Sequence, residues 1–262
     1  MAHTKYTQLD IAPTISAALG FQIPDRDGTE IGEIVDYNNA RAVDQIVLVV
    51  IDGIGATLYR KLQSELNHLP GLSADGVFFE IESLPPRITT PNIATILSGY
   101  TPEHHQVYEV ADTFSTPVKM ILELASDWGI KSGIVIEVMG AKAMADRVNL
   151  AIGVENTNGI IDYDHRTASL ALKAFSREEL TLQMIHLRAI DNCVHHFARS
   201  WEDIVFAARC VDENLGQLFS GLLKPTLVMV TSDHPIHVDR WTYLEEGDIH
   251  VPLIVGYAGT AV

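Results

Sequence analysis

The chain has 262 residues, of which 47% are hydrophobic, enough for a substantial core in one large soluble domain. Its formal charge of −16 argues against nucleic acid or an anionic membrane as partner, because phosphates are held by clustered Lys and Arg. No apolar run is long enough to span a bilayer and no basic, then apolar, start marks a signal peptide, so a cytoplasmic location is expected, with Cys193 and Cys210 reduced.

In chain order, the first expected element is a helix over 12–19, which Asp10 can cap ahead of Pro13. Then Val- and Ile-rich runs recur: "QIVLVVI" (45–51), "VFFEI" (77–81), "SGIVIEV" (132–138), "TLQMIHL" (181–187), "TLVMV" (226–230) and "VPLIVGY" (251–257). Runs apolar on both faces suit a mostly parallel sheet covered on each side. Between them "GATLYRKLQSELN", "TPVKMILELASDW" and "SWEDIVFAARCVDENLGQLFSGLL" read as helices, the last capped by Ser200. This alternation predicts an α/β fold, a doubly wound sheet with helices on both faces. One domain over 1–262 is expected, with residues 139–166, which include "GVENTNGIIDYDH", as a small insertion or a loop over the site.

In such sheets ligands collect at the carboxyl ends of the strands, so polar residues that end apolar runs are the candidates. Asp52 ends "VLVVI", and the glycines after it leave the backbone free to turn. In "PPRITTPNIATILSG" Pro91 suits a first helical turn with Thr90 as its cap, which sets Thr89 just ahead of a helix N-terminus, where N–H groups and the dipole favour a phosphate. Asp191 and His195 are four apart, on one face of a helix and within reach of one ion. Asp233 and His234 follow a strand where the chain turns, so their side chains diverge and can each reach a different metal. Unpaired buried carboxylates are costly, and a two-metal centre is the economical reason for this set.

At "VVIDGIG", "TTPNIATILSGYTPEHH", "IDNCVHH" and "TSDH" the chain resembles the alkaline phosphatase superfamily, in particular its type I phosphodiesterases and nucleotide pyrophosphatases. The resemblance implies two divalent ions, commonly zinc with manganese as the alternative, and a small anionic phosphate ester as substrate. It implies a first ion on Asp52, Asp233 and His234 and a second on Asp191 and His195. Thr89 would be the nucleophile and touch the first ion, with Thr90 as runner-up. A further His completes the shell of the second ion, and His250 is favoured over His237. Gln106 stands where the pattern has Gly, Pro235 likewise, and neither Glu109 nor Val110 is the phosphate-binding Asn of many phosphodiesterases.

"TQLDIAPTISAALGFQIPDRDG" (7–28) resembles a segment that follows the "VPLIV" strand in related sulfatases. A circular permutation is therefore expected, with Val262 close to Met1 and the 12–19 helix beside the 251–257 strand. Competing readings are a sulfatase, against which Thr89 and Thr90 argue, a phosphomutase, for whose second domain the chain has little room, and a binding protein that keeps the fold without turnover.

Overall fold

The Val- and Ile-rich runs form strands because β-branched side chains pack well on a pleated surface buried on both faces. The computed structural model describes residues 6–41, 43, 45–156, 159–237, 241 and 247–259. The strands are β1 (Ile46–Ile51), β2 (Val77–Glu82), β3 (Ser132–Glu137), β4 (Leu150–Val154), β5 (Leu182–Leu187), β6 (Thr226–Ser232) and β7 (His250–Ala258). They make one sheet in the order β2-β7-β6-β1-β5-β3-β4. The run β6-β1-β5-β3-β4 is parallel, and β7 runs antiparallel to both β6 and β2.

The helices are α1 (Ile11–Leu19), α2 (Gly32–Asn39), α3 (Ala56–Leu62), α4 (His68–Ala74), α5 (Thr89–Ser98), α6 (Pro102–His105), α7 (Ile121–Asp127), α8 (Val138–Met144), α9 (Ile160–Glu178), α10 (Ala189–Asn192) and α11 (Trp201–Gly221). Strand alternation divides the core between the two faces. Val47, Val49 and Ile51 pack with Val228, Val230 and Ile185 under α3, α4, α9 and α11, whereas Ile46, Leu48 and Val50 pack with Met184, Met229 and Leu253 under α1, α5 and α7. Each such residue stabilises the fold by roughly 1.5–3 kcal/mol. Among the described residues no helix is long and apolar enough to cross a membrane.

Two expectations need correction. Residues 139–166, expected as a small insertion or a loop over the site, carry among their described residues most of α8, the edge strand β4 paired with β3, and the start of α9. The half-exposed edge run "LAIGV" is too short and too mixed to stand out as a strand. Thr90 does not cap α5, because the helix begins at Thr89 with extended Ile88 as its N-cap. Ser200 does cap α11, in a capping box with Asp203.

Met1 and Val262, which a permuted chain would bring together, lie outside the described residues. Within them, α1 shares a core with Val251, Leu253 and Val255 of β7 while packing on α2, α5 and α7. Thr7 bridges in parallel to Glu82 of β2, and Tyr37 of α2 stacks on Tyr257 of β7.

Just past α6, Gln106 holds φ 56°, a left-handed conformation that costs a side-chain-bearing residue about 1 kcal/mol and suits glycine. That explains the glycine of the pattern at this position. Gln106→Gly is expected to raise stability by about 0.5–1 kcal/mol, read as a higher urea midpoint with an unchanged slope.

His105, at the end of α6, is fully buried. Its Nδ1 accepts from Val107 N–H at 3.0 Å, which leaves the proton on Nε2 to donate to Thr95 Oγ1 at 3.1 Å. Burial pushes this imidazole down to about 4, against weaker upward pulls from Glu103 and Asp27. The unfolded chain therefore binds a proton between pH 6.5 and about 4 that the folded chain refuses, and stability falls as pH drops through that window. Replacing His105 with Gln is expected to flatten this part of a stability–pH curve by up to about one proton, a slope of about 1.4 kcal/mol per pH unit.

Candidate metal centre and active site

Register builds the site. Ile51 of β1 pairs with Leu187 of β5 on one side and Ser232 of β6 on the other, so the next residues, Asp52, Arg188 and Asp233, emerge together at the carboxyl edge. This is the switch point, where the chain continues to opposite sides of β1. Gly53 turns the chain there with φ 73°, and a Cβ on it would lie 3.0 Å from the Asp191 side chain. Its N–H donates to Asp233 Oδ1 at 3.2 Å.

Asp52, Asp233 and His234 are fully buried together. His234 Nδ1–H donates to Pro235 O at 2.9 Å, which orients the ring and turns Nε2 into the site. That Nε2 lies 3.3 Å from Asp52 Oδ1 and 3.4 Å from Asp233 Oδ2. Thr89 Oγ1 lies 3.4 Å from Asp52 Oδ1 and 3.3 Å from His234 Nε2, at the first turn of α5, whereas Thr90 faces the neighbouring cavity. Of the two threonines, Thr89 is the one the fold brings to the carboxylates.

Beside this group stands a second, more open one. Asp191 is on α10, and His195 lies on the π-type turn Cys193–Phe197 that continues it, with Nε2 3.4 Å from Asp191 Oδ1. His195 Nε2 faces His237 Nε2 at 3.2 Å. His237, not His250, thus completes the cluster. His250 begins β7 opposite Glu82 and turns its ring to Asp248, and it joins none of the metal-competent groups among the described residues. Antiparallel β7 begins at this same edge, but the His250 ring is turned to Asp248, whereas the turn after β6 brings His237 against His234 and His195.

Electrostatics favour a cation. Burial alone would raise Asp52, but the hydrogen bond from His234 and the charges of His186, His234 and Arg188 hold it well below the usual carboxylate range. Asp233 and Asp191 then face the Asp52 charge, and burial with that repulsion raises both, to about 8 and about 7. His234 is raised despite burial, by Asp233 and Asp52. Among the described residues, Asp233 Oδ2 and His186 Nε2 are buried without a hydrogen-bond partner. Ligands about 2.0–2.1 Å from a tetrahedral ion stand about 3.3–3.4 Å apart, and the contacts of 3.2–3.4 Å in both groups match that separation. The spacing of these Asp and His groups fits a divalent metal ion.

Sequence reasoning missed several contributors. His186, inside β5, reads as strand interior, yet with Asp52 and Asp233 it forms a further group with metal-ligand spacing. Arg188 places Nε 3.4 Å from Asp52 Oδ2 and its guanidinium over the Tyr163 ring. The buried Asp164 of α9 accepts from the N–H groups of Arg188 and Ala189 at 2.7 and 3.0 Å, anchoring that corner. Gln8 donates to Ser232 O and Asp233 O at 2.9 and 2.7 Å and accepts from Asn92, so the N-terminal segment ties the Asp233 turn to α5. The signal for Arg188 was its place directly after a strand, the same signal that marked Asp52.

Comparison with known proteins agrees with this architecture. Phosphonoacetate hydrolase from Sinorhizobium meliloti 1021 superposes with a TM-score of 0.59 at 13% identity, over 74% of this chain and 56% of that one. The PH0037 protein from Pyrococcus horikoshii gives 0.58 at 14% identity, over 84% and 86%. Murine ectonucleotide pyrophosphatase/phosphodiesterase 5 gives 0.53 at 16%, over 75% and 61%. The chain spans little more than half the length of the first of these, and at such identities the likeness shows the fold, an alkaline phosphatase-like one. No curated protein matches the chain significantly. The profile of the type I phosphodiesterase / nucleotide pyrophosphatase family matches residues 46–125 and 128–246, a span that takes in Asp52, Thr89, Asp191, His195, Asp233 and His234, and the chain belongs to that family.

Proposed function

We propose that the protein is a metal-dependent hydrolase of small anionic phosphate esters with Thr89 as nucleophile. The observation that carries this reading is the Thr89 hydroxyl, set at the N-terminus of α5 and touching Asp52 and His234 at once. Asp52, Asp233 and His234, which meet at His234 Nε2, would hold one ion, with His186 grouped with the same two carboxylates, and Asp191, His195 and His237 the other. When bound, two divalent ions, zinc by the mixed imidazole and carboxylate donor set, would lower the hydroxyl pKa and neutralise charge on the phosphoryl oxygens.

The chain's own residues do the rest. Thr89 Oγ attacks phosphorus, the ester oxygen leaves with its organic group, and water then releases the phosphoryl group from the threonine. N–H groups of the first turn of α5 face the transferring oxygens. Arg188, kept charged by Asp52 in spite of its burial, supplies the phosphate contact for which Glu109 and Val110 offer no amide.

The test combines metal content with turnover. Zinc-loaded protein is expected to hold two ions per chain and to hydrolyse bis(4-nitrophenyl) phosphate or 4-nitrophenyl phosphate, with no matching rate on 4-nitrophenyl sulfate. Chelation is expected to abolish turnover and lower Tm by roughly 5–10 °C, because ions that bind only the folded state stabilise it. Protein that holds no ion and turns over neither phosphate ester ends this reading.

A further inference from the structure

A cavity of about 440 Å³ opens beside the nucleophile, within the roughly 300–1,000 Å³ typical of small-molecule sites. Thr89, His186 and Arg188 form one end. Away from them the wall is mostly apolar, with Ile93 and Leu97 of α5, Met120, Ile134 and Ile136 of β3, and Met144 of α8, interrupted by the polar Thr90, Thr113 and Asn156 and by two charged side chains. Gly140 and Ala143 line it with little or no side chain, which leaves the space open. Exposed Ile88 and Met139, neighbours in sequence of lining residues, extend the apolar character outward.

The charged groups in this wall are already committed. Arg147 donates to Glu123 Oε1 at 2.7 Å and to Thr113 O at 3.1 Å. Glu137 accepts from Met139 N–H at 2.9 Å as the cap of α8. Among the described lining residues the cations are therefore Arg147, neutralised by Glu123, and Arg188, at the Asp52 end. A second phosphate or a carboxylate placed deep in the cavity would find no free positive partner there and would lose its hydration.

We propose that this cavity is the subsite for the organic group of the substrate, and that it selects phosphate esters whose organic part is uncharged and largely apolar, aromatic or branched, over nucleoside polyphosphates and sugar phosphates. The proposal rests on the hydrolase reading above, which places the phosphoryl group at Thr89 and Arg188 and so points the rest of the molecule into the cavity. The apolar wall then supplies affinity in proportion to the area it removes from water.

Phosphonates test this by binding alone, without leaving-group chemistry. With zinc-loaded protein, calorimetry is expected to show (1-naphthyl)methylphosphonate binding on the order of a hundredfold tighter than methylphosphonate. Ala143→Phe, which fills the cavity, is expected to erase that preference while leaving methylphosphonate affinity within about threefold. Should Ala143→Phe fail to fold, Thr113→Trp at the part-exposed rim is expected to reduce the preference in the same direction. Equal affinity for the two phosphonates in the unaltered protein, or a preference that survives the filling variants, overturns the subsite but leaves the hydrolase reading intact. Absence of binding by both, with two ions in place, removes the hydrolase reading and the subsite together.

Discussion

Thr89→Ala is expected to lower kcat on a nitrophenyl phosphate ester by at least about a thousandfold, with ion content and folding retained. The side chain is part-exposed at the first helical turn, where alanine is tolerated, so little stability is at stake. Its worth lies in the reaction: the hydroxyl is held 3.4 Å from Asp52 and 3.3 Å from His234, and no other described hydroxyl shares that pair of contacts. Thr89→Ser keeps the oxygen and is expected to keep measurable turnover, whereas Thr90→Ala is expected to change the rate by less than about tenfold. A Thr89→Ala protein within tenfold of the unaltered rate would place the nucleophile elsewhere.

The second large effect is expected at Asp52. Asp52→Asn preserves shape but removes the charge that faces Thr89, His234, His186 and Arg188 together. Metal analysis is expected to show one ion per chain where the unaltered protein holds two, and kcat/KM is expected to fall by at least about a thousandfold. The ion retained is the one held by Asp191, His195 and His237, a group to which Asp52 does not belong although it lies beside Asp191. Two ions in the variant at unchanged affinity would show that Asp52 is not a ligand.

Much of this site was readable without coordinates because of one physical regularity. A buried parallel strand is apolar throughout, so a carboxylate or imidazole that ends it stands out, and Asp52, Asp233 and His234 were found that way. Asp191 and His195 were found by helical spacing, which survives even though the second of them sits on a wider turn. His186 escaped because a histidine within a strand looks like any alternating residue, and only its neighbours on β1 and β6 show which way it points. The choice between His237 and His250 turned on which ring the folded loops aim at His195, for which local pattern carries no signal. The edge strand β4 and the start of α9 were lost among Gly, Asn and Asp, residues that favour turns unless tertiary packing overrides them.

The amino-acid pattern by itself determined the sheet-and-helix alternation and most of the candidate ligands, since hydrophobic period and strand-end polarity are local properties of the chain. The tertiary structure decided which distant residues meet. Only parallel register sets Asp52, Arg188 and Asp233 side by side, only the fold of 6–41 against β2 brings Gln8 under the Asp233 turn, and only the packing of α5 and α8 on β3 opens the cavity beside Thr89.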